Sequence, residues 1–276
     1  MSNKLEFKWA GDSHYKQYQN WDLGIAETCI ITIPDHSSSQ EAGQRCLASC
    51  LKVGQVNPVI HLGYDGTDHQ SIKTPDHLKS GINPTGWVKV LDTNLSIPEV
   101  ACALSHISLW AHCIEINQPI VILEHDALML RPFNHMHYIN SLEYLGDIAE
   151  FDILCHQSGV KTYDELVEYY ATTSTEFVSR LPSVGLININ YHYSRGLHAY
   201  AIDPAMARRL FSRVLTDGLI NPIDVVVEVC EFGLVQTGIS AIQNPDNSHT
   251  TSSIGIINGS NIYTRKNKFD IPGVSR

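Results

Sequence analysis

The chain has 276 residues, 43% of them hydrophobic and 17% charged, with a formal net charge of −10. That is enough chain to bury a sizeable core, as one α/β domain with insertions or as two small ones. The negative balance, with no Lys/Arg cluster interleaved with aromatics, argues against nucleic acid as a partner, and no basic amphipathic stretch marks a membrane surface.

Residues 1–10 lack the apolar core of a signal peptide, and no run reads as an integral membrane segment, so a cytoplasmic location is expected. Seven cysteines, an odd number, are scattered through apolar segments, as reduced core thiols are. Cys46 and Cys50 share a predicted helix turn without further ligands nearby, and the fourteen histidines show no HExxH-type spacing.

Residues 1–27, with Trp9, Tyr15, Tyr18 and Trp21, read as an N-terminal extension packed over the core. Cys29–Ile33 is the first predicted strand, ended by Pro34-Asp35-His36; a helix follows from near Gln40 to about Lys52, then a strand at Pro58–Leu62. Such a βαβ unit implies a right-handed crossover and a parallel pair. Residues 64–98 are rich in Gly, Pro, Asp and Thr, with Trp87–Leu91 their one strand-like piece.

Ser96-Ile97-Pro98-Glu99 has capping-box spacing and predicts a helix start at Ser96. Val100, Ala103, Leu104, Ile107, Ala111 and Ile114 then share one face, with Ser105, Ser108, His112 and Glu115 opposite. Glu99, Cys102, His106, Trp110 and Cys113 form a flank between them. His106 reads either as a functional group on that flank or as a core-edge histidine held by a backbone carbonyl.

Asn117-Gln118-Pro119 is a short turn into Ile120-Val121-Ile122-Leu123, an apolar run of the kind buried on both faces of a parallel sheet. It runs into Glu124-His125-Asp126. Alternation sends Glu124 and Asp126 one way and His125 the other. Two hard oxygen donors at the carboxyl end of a central strand suit Mg²⁺ or Mn²⁺ with a phosphate-bearing ligand; the competing reading is that they end the strand and cap the next segment.

Downstream, Phe151–Cys155 reads as a strand, and the Tyr- and Ser/Thr-rich 156–182 as either one wall of an acceptor cleft or a surface helix. Ser183–Tyr191, Tyr200–Ile202 and 234–242 are further strands, and Asp203-Pro204 an N-cap with proline at the first helical position, opening a helix that turns Met206, Leu210, Phe211 and Val214 inward. Asp224, after Asn221-Pro222, lies at a predicted helix start, where the dipole favours a carboxylate; N-cap and catalytic base are both open readings.

The run Pro98–Trp110 followed by Pro119–Leu130 resembles the signature of glycosyltransferase family 25, which includes lipooligosaccharide and collagen galactosyltransferases. His198–Ile202, Pro222-Ile223-Asp224 and Gln243 continue the likeness, which spans about residues 28–253. His125 stands in place of the middle Asp of the usual Glu-Asp-Asp, Ala101 where Gly is common, and the basic residues often found after the first strand are missing.

The resemblance implies a single GT-A-like, Rossmann-type α/β domain over 28–253, with a mostly parallel central sheet flanked by helices, followed by a C-terminal strand and tail at 254–276. It implies transfer, with inversion, of a hexose, usually galactose, from a UDP-sugar to a saccharide or glycoconjugate acceptor, with Mn²⁺ or Mg²⁺ as cofactor. On that likeness Glu124, Asp126 and the loop residue His249 are metal ligands. Asp224, Glu99 and His106 are catalytic, and Ile33, Pro34 and Asp65 line the nucleotide with the two strand carboxylates. The alternatives are a metal-dependent nucleotidyltransferase or hydrolase, and a non-catalytic nucleotide-sugar-binding protein.

Overall fold

A computed structural model of the chain describes residues 23–66, 95, 97–146, 168, 185–186, 197–219, 221–228, 234–236 and 240–243. Trp9, Tyr15, Tyr18, Trp21, Trp87–Leu91, Phe151–Cys155, His249, the tail and all of 156–182 except position 168 lie outside them.

The strands are β1 (Glu27–Thr32), β2 (Pro58–Leu62), β3 (Ile120–Glu124), β4 (Ala127–Met129), β5 (Leu142–Tyr144), β6 (Gly185–Leu186), β7 (Ala199–Ile202), β8 (Leu234–Gln236) and β9 (Ala241–Gln243). The helices are α1 (Ser37–Val53), α2 (Ile97–Ile116), α3 (Pro204–Asp217) and α4 (Ile223–Glu228). Among the described residues seven strands form one sheet in the order β2-β1-β3-β7-β5-β8-β6, and β4 pairs with β9 apart from it. The architecture is the expected α/β one, a central sheet flanked by helices. Pairing is parallel across β2, β1 and β3 and at β5–β8, and antiparallel where β7 and β6 join.

The βαβ unit forms as the sequence predicts, with β1 and β2 parallel. Helix α1 opens without a side-chain cap at His36; instead Ser39 Oγ accepts the Ile33 N–H at 2.8 Å, tying the helix to the end of β1. It closes at Gly54, whose φ of 76° is the left-handed conformation that glycine adopts at least cost.

Strand alternation sorts the core into two layers. Cys29, Ile31, Ile120 and Ile122 face α2, α3 and α4, whereas Ile30, Val121 and Leu123 join the layer that holds Cys46 and Cys50 of α1. Ile120–Leu123 are buried completely, and each such side chain stabilises the fold by about 1.5–3 kcal/mol.

Two expectations are corrected. Helix α2 has no solvated serine face: Ser105 and Ser108 are buried, because Ser105 Oγ accepts the Tyr64 N–H and donates to Ala101 O, and Ser108 Oγ donates to Ser105 O. With its hydroxyls satisfied on backbone groups, the helix can be enclosed nearly all round. Its 20 residues have the length and hydropathy of a membrane span, yet 72% of that window is buried within the protein. The late strand expected at 234–242 is two strands, because Ser240 N and Ala241 N turn to Leu145 O and β9 leaves the main sheet to pair with β4.

Asp203 is the cap that the sequence suggests. Its Oδ1 accepts the Ala205 and Met206 N–H groups at 2.7 and 2.8 Å and its Oδ2 the Ser141 N–H at 3.0 Å, so it joins α3 to β5. Burial raises its pKa to about 6, against backbone donors at Met206, Ser141, Ala205 and Asn140 that lower it. The fold therefore binds this proton more tightly than the unfolded chain does. The group's contribution to stability is full below the ordinary value of 3.8 and is lost as pH rises towards about 6, a change of about 3 kcal/mol. Asn keeps the Oδ1 cap and does not titrate; its NH2 cannot accept the Ser141 N–H, a loss that lowers stability equally at every pH. Urea unfolding from pH 4 to 7 is expected to show this decline in the wild type and not in Asp203→Asn.

Candidate active site

The carboxyl ends of β1, β2 and β3 form one edge. Ile31 pairs with Glu124 and Thr32 with Leu62, so Ile33-Pro34, Gly63–Gly66 and His125-Asp126 all leave the sheet on the same side. The loop after β2 lies directly on α2. A Cβ on Gly63 would fall 2.7 Å from Ser105 Oγ and 2.9 Å from Ile31 Cγ2, and one on Gly66 would fall 2.6 Å from Pro98 Cα. Only glycine permits that approach, which sets Asp65 beside the start of α2 and Glu99.

Glu124 ends β3 with its side chain on the α2 face, continuing the parity of Ile120 and Ile122. There His106 Nε2 lies 3.3 Å from Glu124 Oε1 and His106 Nδ1 lies 2.9 Å from Tyr200 Oη, to which Trp110 Nε1 donates at 2.9 Å. The partners dictate the protons. A carboxylate only accepts, so His106 Nε2 carries hydrogen; Nδ1 then accepts the Tyr200 O–H, and the Tyr200 oxygen accepts from Trp110. Burial pushes the Tyr200 phenol well above its ordinary pKa, so the O–H that this chain requires is retained. Burial also opposes ionisation of Glu124, but the His106 hydrogen bond and the nearby imidazoles of His106, His198 and His125 outweigh it, and its pKa lies below the ordinary value. With 30% of its side chain exposed, Glu124 is a carboxylate open to a ligand. His106 is thus in the core, and the groups that hold it are side chains rather than a backbone carbonyl.

Cys102 lies between these groups. Its thiol, His106 nitrogen and a Glu124 oxygen are all within 4.8 Å of one another. Burial first, then the negative charges of Glu124, Asp224, Asp126 and Glu99, push the thiol well above its ordinary pKa. Five of the residues singled out in the sequence, Glu99, His106, Glu124, Asp126 and Asp224, are therefore gathered around one cysteine. Asp224 is in the first turn of α4, one residue inside the helix rather than at its cap, and accepts the Val225 N–H at 2.9 Å. Burial raises its pKa and Glu124 raises it further, opposed by the Val225 N–H and by His106.

The alternation argument reaches only as far as Glu124. The strand stops there, and His125 and Asp126 form a turn into β4. His125 lies on the α1 side, where a Cβ on Gly43 would be 4.0 Å from its own Cβ. Asp126 acts on Cys102 of one layer and on Cys46 of the other, which places it at the sheet edge between them. Ile33, Pro34 and Asp65 are half-buried along the same edge. His249 lies outside the described residues; β9, six residues earlier at Gln243, pairs with Ala127 next to Asp126.

The donors fit a hard divalent ion in part. Cys102 stays a thiol, and both His106 nitrogens are engaged, so the groups suited to such an ion are the carboxylates Glu124, through Oε2, and Asp126. Cys102, Tyr200 and Trp110 escape a search for site residues by type. Cys102 and Trp110 could be read off the helical flank shared with Glu99 and His106, but Tyr200 reaches His106 from 94 residues away and leaves no local signal.

An α/β sheet with clustered acids at its open carboxyl edge has them where folds of this class bind their ligands. Residues 63–227 match the model of glycosyltransferase family 25 (LPS biosynthesis protein), and the chain belongs to that family. No curated protein sequence matches it. A crystal structure of the galactosyltransferase LgtC with donor and acceptor sugar analogues overlaps 76% of this chain and 72% of its own, at 11% identity and a TM-score of 0.36.

Tyr200→Phe leaves the Trp110 N–H and His106 Nδ1 buried without their partner. Each such loss costs about 1–3 kcal/mol, so the variant is expected to be about 3 kcal/mol less stable in urea, with a wild-type far-UV spectrum.

Proposed function

We propose that this glycosyltransferase moves a hexose, galactose by family likeness, from a UDP-sugar to a hydroxyl of a saccharide or glycoconjugate, with inversion and with Mn²⁺ or Mg²⁺ as cofactor. The observation that carries the reading is the convergence of Glu124, Asp126, Asp224 and Glu99 around Cys102 at the open edge of β1–β3. Glu124 and Asp126 would hold the ion, with His249 a further candidate ligand. When bound, the ion neutralises charge developing on the diphosphate.

The chain's own groups supply the rest. The His106 Nε2–H fixes Glu124 Oε1, and the side chain stays 30% exposed for a ligand. Asp224 takes the proton of the acceptor hydroxyl as that oxygen attacks the face opposite the diphosphate. Its raised pKa makes it the stronger base, which distinguishes it from the ionised Glu124. Glu99, on the same helix flank as His106, is the remaining carboxylate and a candidate contact for acceptor hydroxyls. Ile33, Pro34 and Asp65 lie where the nucleotide would extend along the edge.

Release of UDP from UDP-galactose, dependent on both Mn²⁺ and a sugar acceptor, is the test; tight donor binding that ignores metal and acceptor would sink the reading. Asp126→Ala is expected to abolish turnover with an unchanged melting temperature. Asp224→Asn is expected to lower kcat by about 10²–10⁴-fold while the KM for donor holds, as loss of a general base does.

A further inference from the structure

A second cluster of ligating groups lies in the same layer, running from the start of β1 across to β2. Glu27 and Cys29 are two apart on β1, and His61 pairs with Ile31, so parallel register brings all three side chains to the α2 face. One oxygen of Glu27, the Cys29 thiol and a nitrogen of His61 lie within 4.8 Å of one another. His112 Nε2, from α2, contacts Glu27 Oε1, and its ring is 5.9 Å from that of His61. The side chains of His112 and Glu27 are 21% and 23% exposed, so the cluster has a path to solvent. Six residues of helix, about 9 Å, separate His112 from His106, and the transfer site uses none of these four groups.

We infer that Glu27, Cys29 and His61 form a site for a borderline-soft divalent transition ion, zinc foremost, with His112 orienting the carboxylate. One sulfur, one nitrogen and one oxygen make a donor set that zinc takes and that Mg²⁺ or Mn²⁺ does not favour. Tetrahedral zinc with bonds of about 2.0–2.3 Å holds its ligand atoms about 3.3–3.8 Å apart. Closing from up to 4.8 Å to that spacing calls for rotation of the half-buried Glu27 and His61 side chains. The Cys29 proton leaves to solvent as the thiolate binds, so two anionic ligands and one neutral imidazole balance the charge of the ion within a largely apolar layer. Water completes the fourth position from the exposed side. His112 donates Nε2–H to Glu27 Oε1 and leaves Oε2 for the metal, the arrangement by which outer hydrogen bonds set ligand geometry. Bound there, the ion would join β1, the edge strand β2 and, through His112, α2.

The test uses the full chain, freed of metal by chelation and titrated with Co²⁺, whose thiolate complexes show a sulfur-to-metal charge-transfer absorption. The wild type is expected to develop that band, Cys102→Ser to keep it and Cys29→Ser to lose it. His61→Ala, at a half-buried position, is expected to weaken Zn²⁺ by at least about tenfold, and His112→Ala by about 10–100-fold, with the far-UV spectrum of both unchanged. The inference is overturned if no thiolate band appears in the wild type, if the band survives Cys29→Ser, or if Cys102→Ser removes it. Unchanged Zn²⁺ affinity in His61→Ala would overturn it as well.

Discussion

The hydrogen-bonded chain from Trp110 through Tyr200 and His106 to Glu124 is the constraint on which the site depends. It links α2 and β3, which are neighbours in the sequence, to β7, whose Tyr200 lies 94 residues beyond His106, and every donor and acceptor in it has one consistent assignment. Buried polar groups are costly unless paired, so the network tolerates one arrangement of helix against sheet and no sliding of either. That rigidity settles the state of Glu124. Burial alone would raise its pKa; the imidazole that reaches it through this chain lowers it and leaves one oxygen committed and the other open.

The same network shows how one cluster contains carboxylates of different character. Glu124 is lowered by the His106 hydrogen bond and nearby imidazoles against its own burial, whereas burial, and after it the negative charge of Glu124, raise Asp224. Groups whose environments push their pKa values apart divide the labour of holding charge and moving protons. Cys102 remains protonated among them and serves as a compact spacer around which four acids approach.

How far the sequence could be read follows the range of the interactions. Ile120–Glu124 was readable to the residue, because complete burial of its first four residues on both faces leaves a run of aliphatics that ends at a carboxylate. The βαβ unit, the Asp203 cap and the flank Glu99–Cys102–His106–Trp110 were readable for the same reason, being local patterns of period or spacing. The enclosure of Ser105 and Ser108 was not, since their hydroxyls are satisfied by backbone groups that only the folded chain supplies. Nor was the turn at His125-Asp126, which ends the strand before alternation can carry Asp126 to the side of Glu124. Tyr200 and the union of β4 with β9 depend on pairings across more than ninety residues, and no window along the chain contains them.

Helix α2 carries the two histidines that give the layer its chemistry, and their surroundings draw them to different ends. His106 lies over the carboxyl edge of β3, where the chain leaves the sheet and acids can gather facing solvent. His112 lies over the start of β1, next to Ile120 in register with Glu27, where the strands are still paired and side chains can only meet from alternate positions. Open edges accumulate carboxylates and suit hard ions, while alternate positions on paired strands under a helix bring one acid, one thiol and one imidazole to a common face. A single helix laid antiparallel to its strand thus builds two donor sets of opposite hardness, and the ions each prefers need not compete.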